Sequence, residues 1–176
     1  MGAKNLEALQ IVSSGVPQDL TASGITGDYV SLKNYNRCLA LVHFADGTAT
    51  TGDITVSANQ ATDVAGTGAK ALSVIGTGRI YTKQGADETA LLAIGQWTAQ
   101  AQTAGQTYVD LTSGEAAGLW AFEFKATDLD VDGGFDCLSL DVDTATGSAK
   151  LVSALLILSE PRQSLAPESM PTAIAD

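Results

Sequence analysis

The chain has 176 residues, 45% of them hydrophobic and only 16% charged, with a formal net charge of -11 at pH 7. The hydrophobic share excludes a chain disordered throughout, and the length suffices for one domain with its own core, without disulfides or metals. The acidity argues against nucleic-acid binding, because phosphates repel such a surface and the nine Lys and Arg are scattered singly from Lys4 to Arg162.

Residues 1–24 are read as an N-terminal arm. "LEALQIVSSGVPQDLTASG" holds one alternating piece and then a Pro-bearing loop. The opening "MGAKNLEALQ" lacks the apolar core of a signal peptide, and Leu6 departs from the myristoylation pattern. Strand signals then follow one another. "DYVSLKN" (28–34) alternates, and "RCLALVHF" (37–44) is apolar on both faces, as in a strand covered on both sides. "ADGT" is a turn signal, and "DITVSAN" (53–59) puts Ile54, Val56 and Ala58 on one face. "KALSVIG" (70–76), "RIYTKQ" (79–84), "LLAIGQWT" (91–98) and "QTYVDLT" (106–112) come next. "LWAFEFKA" (119–126) aligns Trp120, Phe122 and Phe124, and "DCLSLDVD" (136–143) aligns Leu138, Leu140 and Val142. "AKLVSALLIL" (149–158) closes the series after the turn "TATGS". Short helical turns are expected at "NQATDVAG" (59–66) and "SGEAAG" (113–118).

Ten strand signals without a sustained 3.6-residue period predict an all-β protein, a jelly-roll-like β-sandwich over residues 25–158 with extended N- and C-terminal arms. The longest apolar run, "ALLIL" at 154–158, is too short to cross a bilayer, so no membrane partner is expected. Residues 159–176, "SEPRQSLAPESMPTAIAD", contain Pro161, Pro167 and Pro171, which exclude a regular helix or a central strand. Leu165, Met170 and Ile174 are spaced apolar anchors among them, so the segment reads as an arm contacting a capsid or a neighbouring subunit; a loose tail is the alternative. On the arm reading, deleting 160–176 leaves the β-core folded.

Candidate chemistry is sparse. "DLDVDGGFD" (128–136) places Asp128, Asp130 and Asp132 two apart ahead of Gly133, as a calcium loop does. The EF-hand pattern fails at its twelfth position, which is Ser139, and strands flank the segment where helices are needed. The simpler reading is the turn of a β-hairpin, with those aspartates outward and Leu129 and Val131 inward. No metal or other cofactor is expected, with Asp128, Asp130 and Asp132 the weak calcium candidates. His43, the single histidine, sits inside "LALVHF", and no Gly-x-Ser-x-Gly elbow accompanies it, so no enzyme is expected. Cys38 and Cys137 lie in apolar runs and read as buried free thiols, although one disulfide is the alternative. "GTGAKA" and "GTGR" lack the spacing of a phosphate loop. Trp120 reads as core; Trp97 suits either core or a groove.

The blocks "GDYVSLKNYNRCLALVHFADGT", "VSANQATDVAGTGAKAL" and "LWAFEFKATDLDVDGGFDCLSLDV", with the end "ALLILSEPRQ…MPTAIAD", form a distinctive set. Together they resemble a family of tailed-bacteriophage structural proteins, over most of the chain from about Asn5 to Asp176. The resemblance implies a virion component, a capsid decoration (cement) protein on the outside of the shell. Its partners would be the major capsid protein and itself, as a homotrimer, with assembly in the host cytoplasm. It brings no catalytic or metal-ligating residues. The alternative is a tail, connector or head-surface component whose loops around Trp97 bind host glycans.

Overall fold

The computed structural model describes residues 6, 8–21, 23–45, 53–85, 96–110, 117–144, 150–163, 166 and 169–174. Eleven strands run through the described residues: β1 (Leu9–Asp19), β2 (Val30–Ser31), β3 (Tyr35–Phe44), β4 (Ile54–Ala61), β5 (Lys70–Ala71), β6 (Ile80–Gly85), β7 (Thr98–Ala99), β8 (Thr107–Val109), β9 (Ala117–Lys125), β10 (Cys137–Thr144) and β11 (Leu151–Pro161). One sheet has the order β1-β11-β3-β9-β6-β7, the other β2-β10-β4-β5, with β8 also paired to β4. Every pairing is antiparallel. The pairs β1–β11, β2–β10, β3–β9 and β4–β5 are nested in sequence and alternate between the sheets. That is one long hairpin rolled into two layers, so the fold is an all-β jelly-roll sandwich.

Alternation builds the core. From the six-stranded sheet, Cys38, Ala40, Val42 and Phe44, then Phe122 and Phe124, then Val152, Ala154, Leu156 and Leu158 are all buried. From the other sheet, Ile54, Val56 and Ala58 meet Leu138, Leu140 and Val142. Trp120, fully buried, lies at the centre with its ring edge-on to Phe44 at 4.9 Å and Tyr108 at 5.0 Å. Its indole N–H donates to Gln84 Oε1 at 3.0 Å, which satisfies the one polar atom of the side chain. Glycine is required at 118, where a Cβ would fall 2.2 Å from the Phe44 ring.

The predicted and observed elements differ where context overrides pattern. Residues 1–24 do not form an arm throughout: Leu9–Asp19 is an edge strand along β11. Register shifts after Ser13 and Gly15 admit Gly15 and Pro17, which a regular central strand would not. Pro161 sits at the last position of β11, opposite Tyr35, beyond the last residue that β1 pairs. The strand expected over 70–76 pairs with β4 only at Lys70–Ala71; the chain then turns to bury Leu72 and Ile75, and Ile75 makes an isolated bridge to Gly105. Over 59–66 there is no helical turn at first, since Asn59–Ala61 completes β4. Positions 91–95, 113–116 and the turn after Thr144 fall outside the described residues. The strand 37–44 is not covered on both sides, because Leu39 and Leu41 are only half-buried and His43 is exposed on the outer face.

Leu9 pairs with Ser159, so the first strand begins and the last strand ends at the same pole of the sandwich. The connection from β9 to β10 crosses between the sheets at that pole too.

Candidate functional site

The pole where β1 begins and β11 ends holds Asp128, Asp130, Asp132, Pro161 and Pro171. The segment 128–136 there is not a hairpin turn. It bridges the two sheets through two short 3-10 turns, Ala126–Asp128 and Val131–Gly133. Leu129 points into the core, but Val131 is 59% exposed, so simple alternation fails. The 3-10 turns rotate the side chains out of the two-residue period of a strand. Gly134 ends the second turn in the left-handed region with φ 83°.

The aspartates are engaged within the protein. Both Asp128 oxygens accept from the Arg79 guanidinium, one of them from Nη2 at 2.8 Å, and the backbone N–H of Lys125 donates to the same carboxylate at 2.7 Å. Asp130 accepts from Lys70 Nζ at 2.5 Å and from the Gly133 N–H at 3.1 Å. The Lys70 bond, with the Gly133 N–H behind it, holds the Asp130 carboxyl below its ordinary pKa. Lys70 also stands over the Phe135 ring at 3.8 Å. Asp132 is exposed. A cation at Asp128 would have to displace Arg79, and among the described residues no group of three or more His, Cys, Asp or Glu is arranged for a metal.

Beside this bridge the chain end folds back. Tyr35 is fully buried and its hydroxyl donates to the Pro171 carbonyl at 2.7 Å. The Ser31 N–H donates to the Ala173 carbonyl at 2.8 Å, and the Ala173 side chain is fully buried. Met170 packs against the core and Ile174 is 63% exposed. Leu165 and Pro167 lie outside the described residues. Against the bridge lies a depression of about 270 Å³, lined by Leu32, Ala126, Leu129 and Val131 together with Lys33, Thr127, Asp136 and Arg162.

A second depression, about 250 Å³, lies on the outer face of the six-stranded sheet among Leu39, Tyr81, Trp97, Ala121 and Glu123. Trp97 is 42% exposed, with Lys83 Nζ 4.8 Å from its ring centroid. Glu123 lies 3.9 Å from Arg37, which also holds Glu160 at 2.8 Å.

The remaining candidates are dispersed. His43 is exposed between Ser153 and Leu119, toward the opposite pole. Cys38 and Cys137 are buried thiols on different sheets, not joined by a disulfide. Burial pushes the Cys38 thiol pKa far up, which keeps it protonated and unreactive. Sequence reasoning missed the roles of Arg79, Lys70 and Tyr35. Their partners lie 49, 60 and 136 residues away, beyond any local pattern.

No family model matches the chain, and no curated protein matches it. Among solved structures it is similar to the CBM22-1–GH10 modules of Clostridium thermocellum endo-1,4-beta-D-xylanase 10B complexed with xylohexaose, at 11% identity and a TM-score of 0.38. That likeness covers 92% of this chain and 28% of the xylanase chain. It is also similar to a Bacillus endospore appendage pilus (14% identity, 92% of this chain and 97% of that one, TM-score 0.29). A third is the Eiger TNF of S. frugiperda (10% identity, 92% and 94%, TM-score 0.30). Likenesses this distant add nothing to what the strand order already establishes.

Proposed function

We propose that the chain is a structural protein of a tailed-phage virion that binds the outside of the capsid lattice and stabilises it. The sequence resemblance supplies the class. The observation that carries the contact mode is the meeting of the start of β1, the end of β11, the Tyr35 clasp and the apolar depression at one pole. A β-sandwich with one sticky pole suits a repeating lattice, where many weak attachments add through avidity. The net charge of -11 suits a surface away from packaged DNA. On this reading the partners are the major capsid protein and further copies of the chain, and no reaction is catalysed.

Cosedimentation of the full chain with undecorated capsids of its own phage tests the reading. Saturation at one copy per major capsid subunit, or at a lattice-related fraction, is expected; no binding, or a handful of copies per particle, overturns it. Deleting residues 163–176 is expected to abolish cosedimentation. The deletion is not neutral for the fold. It strips Ala173 and Met170 from the core and takes the partner from Tyr35, a loss of about 1–3 kcal/mol. Binding is therefore compared below both melting transitions, and undiminished binding by the folded truncation removes the chain end from the contact.

A second reading is favoured by the Trp97 depression. An exposed indole beside Tyr81, with the Glu123 carboxylate at the edge, offers a stacking face and a hydrogen-bond acceptor to a saccharide. This is the head-surface or tail component that recognises host glycans. Binding on a glycan array that disappears in Trp97→Ala supports it; an array without signal for the wild type ends it.

A further inference from the structure

We infer that the outer face of the six-stranded sheet docks a second copy of this chain. The inference names the surface for self-association and rests on the sheet itself. Ile11, Ile157 and Leu39 lie opposite one another across β1, β11 and β3. In the next outward row, Leu155 lies opposite Leu41 across β11 and β3, with Ala121, itself buried, beside them on β9. Ile11 is 49% and Leu155 39% exposed. An antiparallel sheet with one face in water alternates apolar with polar residues. The central strands β3 and β11 depart from this midway along their length, where Leu39 and Leu41 stand between Arg37 and His43, and Leu155 and Ile157 between Ser153 and Ser159. The other sheet follows the rule more closely, with Thr55, Ser57, Asn59, Asp141 and Asp143 outward and Val109 the exposed apolar exception. A contiguous apolar surface of this kind marks a contact.

Charge selects the occupant. Two copies carrying -11 each repel one another, so contact requires a face that contributes little to that charge. Around this face stand Arg37, Lys83 and Lys125 against Glu123 and Glu160, and Arg37 already pairs with both acids. A basic partner would find no net negative charge here, whereas a second copy meets no local repulsion. The area is of the required order. Strands about 4.8 Å apart, with about eight residues rising ~3.3 Å each, outline about 500 Å² before side-chain relief, against ~800 Å² per partner in a typical stable contact.

Sedimentation velocity of the full chain across a concentration series tests this without any capsid present, so its outcome is independent of the virion reading. The wild type is expected to sediment as a multiple of 18.0 kDa. Added salt should strengthen the association by screening net repulsion. Leu155→Glu, and separately Ile11→Glu, should each return the monomer, with unchanged far-ultraviolet circular dichroism, because both positions reach solvent in a single copy. Val109→Glu, exposed on β8 in the other sheet, should leave the assembly intact. A wild type that stays at 18.0 kDa throughout overturns the inference, as does an assembly that survives both outer-face substitutions.

Discussion

Trp120→Ala is expected to lower the folding free energy by about 3–5 kcal/mol, the largest effect of any single substitution considered, read as a fall in the urea midpoint with an unchanged slope. Three features set the magnitude. The side chain is fully buried, so its whole apolar surface returns to water or becomes cavity. Edge-on contacts to Phe44, Tyr108 and Phe122 are lost together. Gln84 loses its indole donor at a partly buried site. Collapse cannot relieve the cavity cheaply, because Gly118 already lets Phe44 approach the backbone closely and the strands on either side are fixed in register. Against a typical total stability of about 5–15 kcal/mol, such a loss brings the domain near unfolding at ambient temperature. Trp97→Ala is the internal control, expected to cost clearly less, about 1–2 kcal/mol, because 42% of the residue already reaches solvent. The chain has two tryptophans, so each variant also isolates the fluorescence of the other. A Trp120→Ala penalty below about 1 kcal/mol would mean that the centre of the sandwich is not close-packed.

The core was legible because period-two alternation is a local property of the sequence. Trp120, Phe122 and Phe124 could be assigned to one inward face, as could Ile54, Val56 and Ala58, and the sandwich class followed from repeating that signal. Strand order was not legible, since it depends on which runs pair across more than a hundred residues. The apolar residues on both faces of 37–44 are legible too, but their meaning is not. Sequence alternation records that a face is apolar, and cannot say whether a second layer of the same chain covers it. Leu9–Asp19 was lost to the arm because Gly15 and Pro17 break its alternation, and only the edge position with its register shifts makes that tolerable. The chain end was half legible. Proline spacing excluded regular structure, but the burial of Ala173 depends on Ser31 and Tyr35, far away in sequence. The acidic segment is misleading in one respect: its aspartates are spaced like a set, while the fold gives Asp128 and Asp130 separate partners and leaves Asp132 exposed.

That separation makes Asp128→Ala the second large effect, expected to cost about 2–4 kcal/mol. The Asp128 side chain is 11% exposed and that of Arg79 29%, so neither group is fully compensated by water once the other is gone. Removing the carboxylate also frees the Lys125 N–H at the end of β9, where the chain must turn into the first 3-10 turn. Arg79→Ala should cost less, because the Lys125 bond survives and Asp128 can rotate toward solvent. The double variant should fall short of the sum by about 1–3 kcal/mol, the signature of two groups acting as one latch. The latch ties the start of β6 to the bridge between the sheets, so its loss should loosen residues 126–136 first. Faster amide exchange there, with β3 and β11 unchanged, is the expected pattern. Millimolar calcium should leave the wild-type melting temperature where it is, since Arg79 already occupies both Asp128 oxygens. A calcium-dependent rise that disappears in Asp128→Ala would instead show that a cation displaces the guanidinium, and would turn the bridge from a fastening into an ion site.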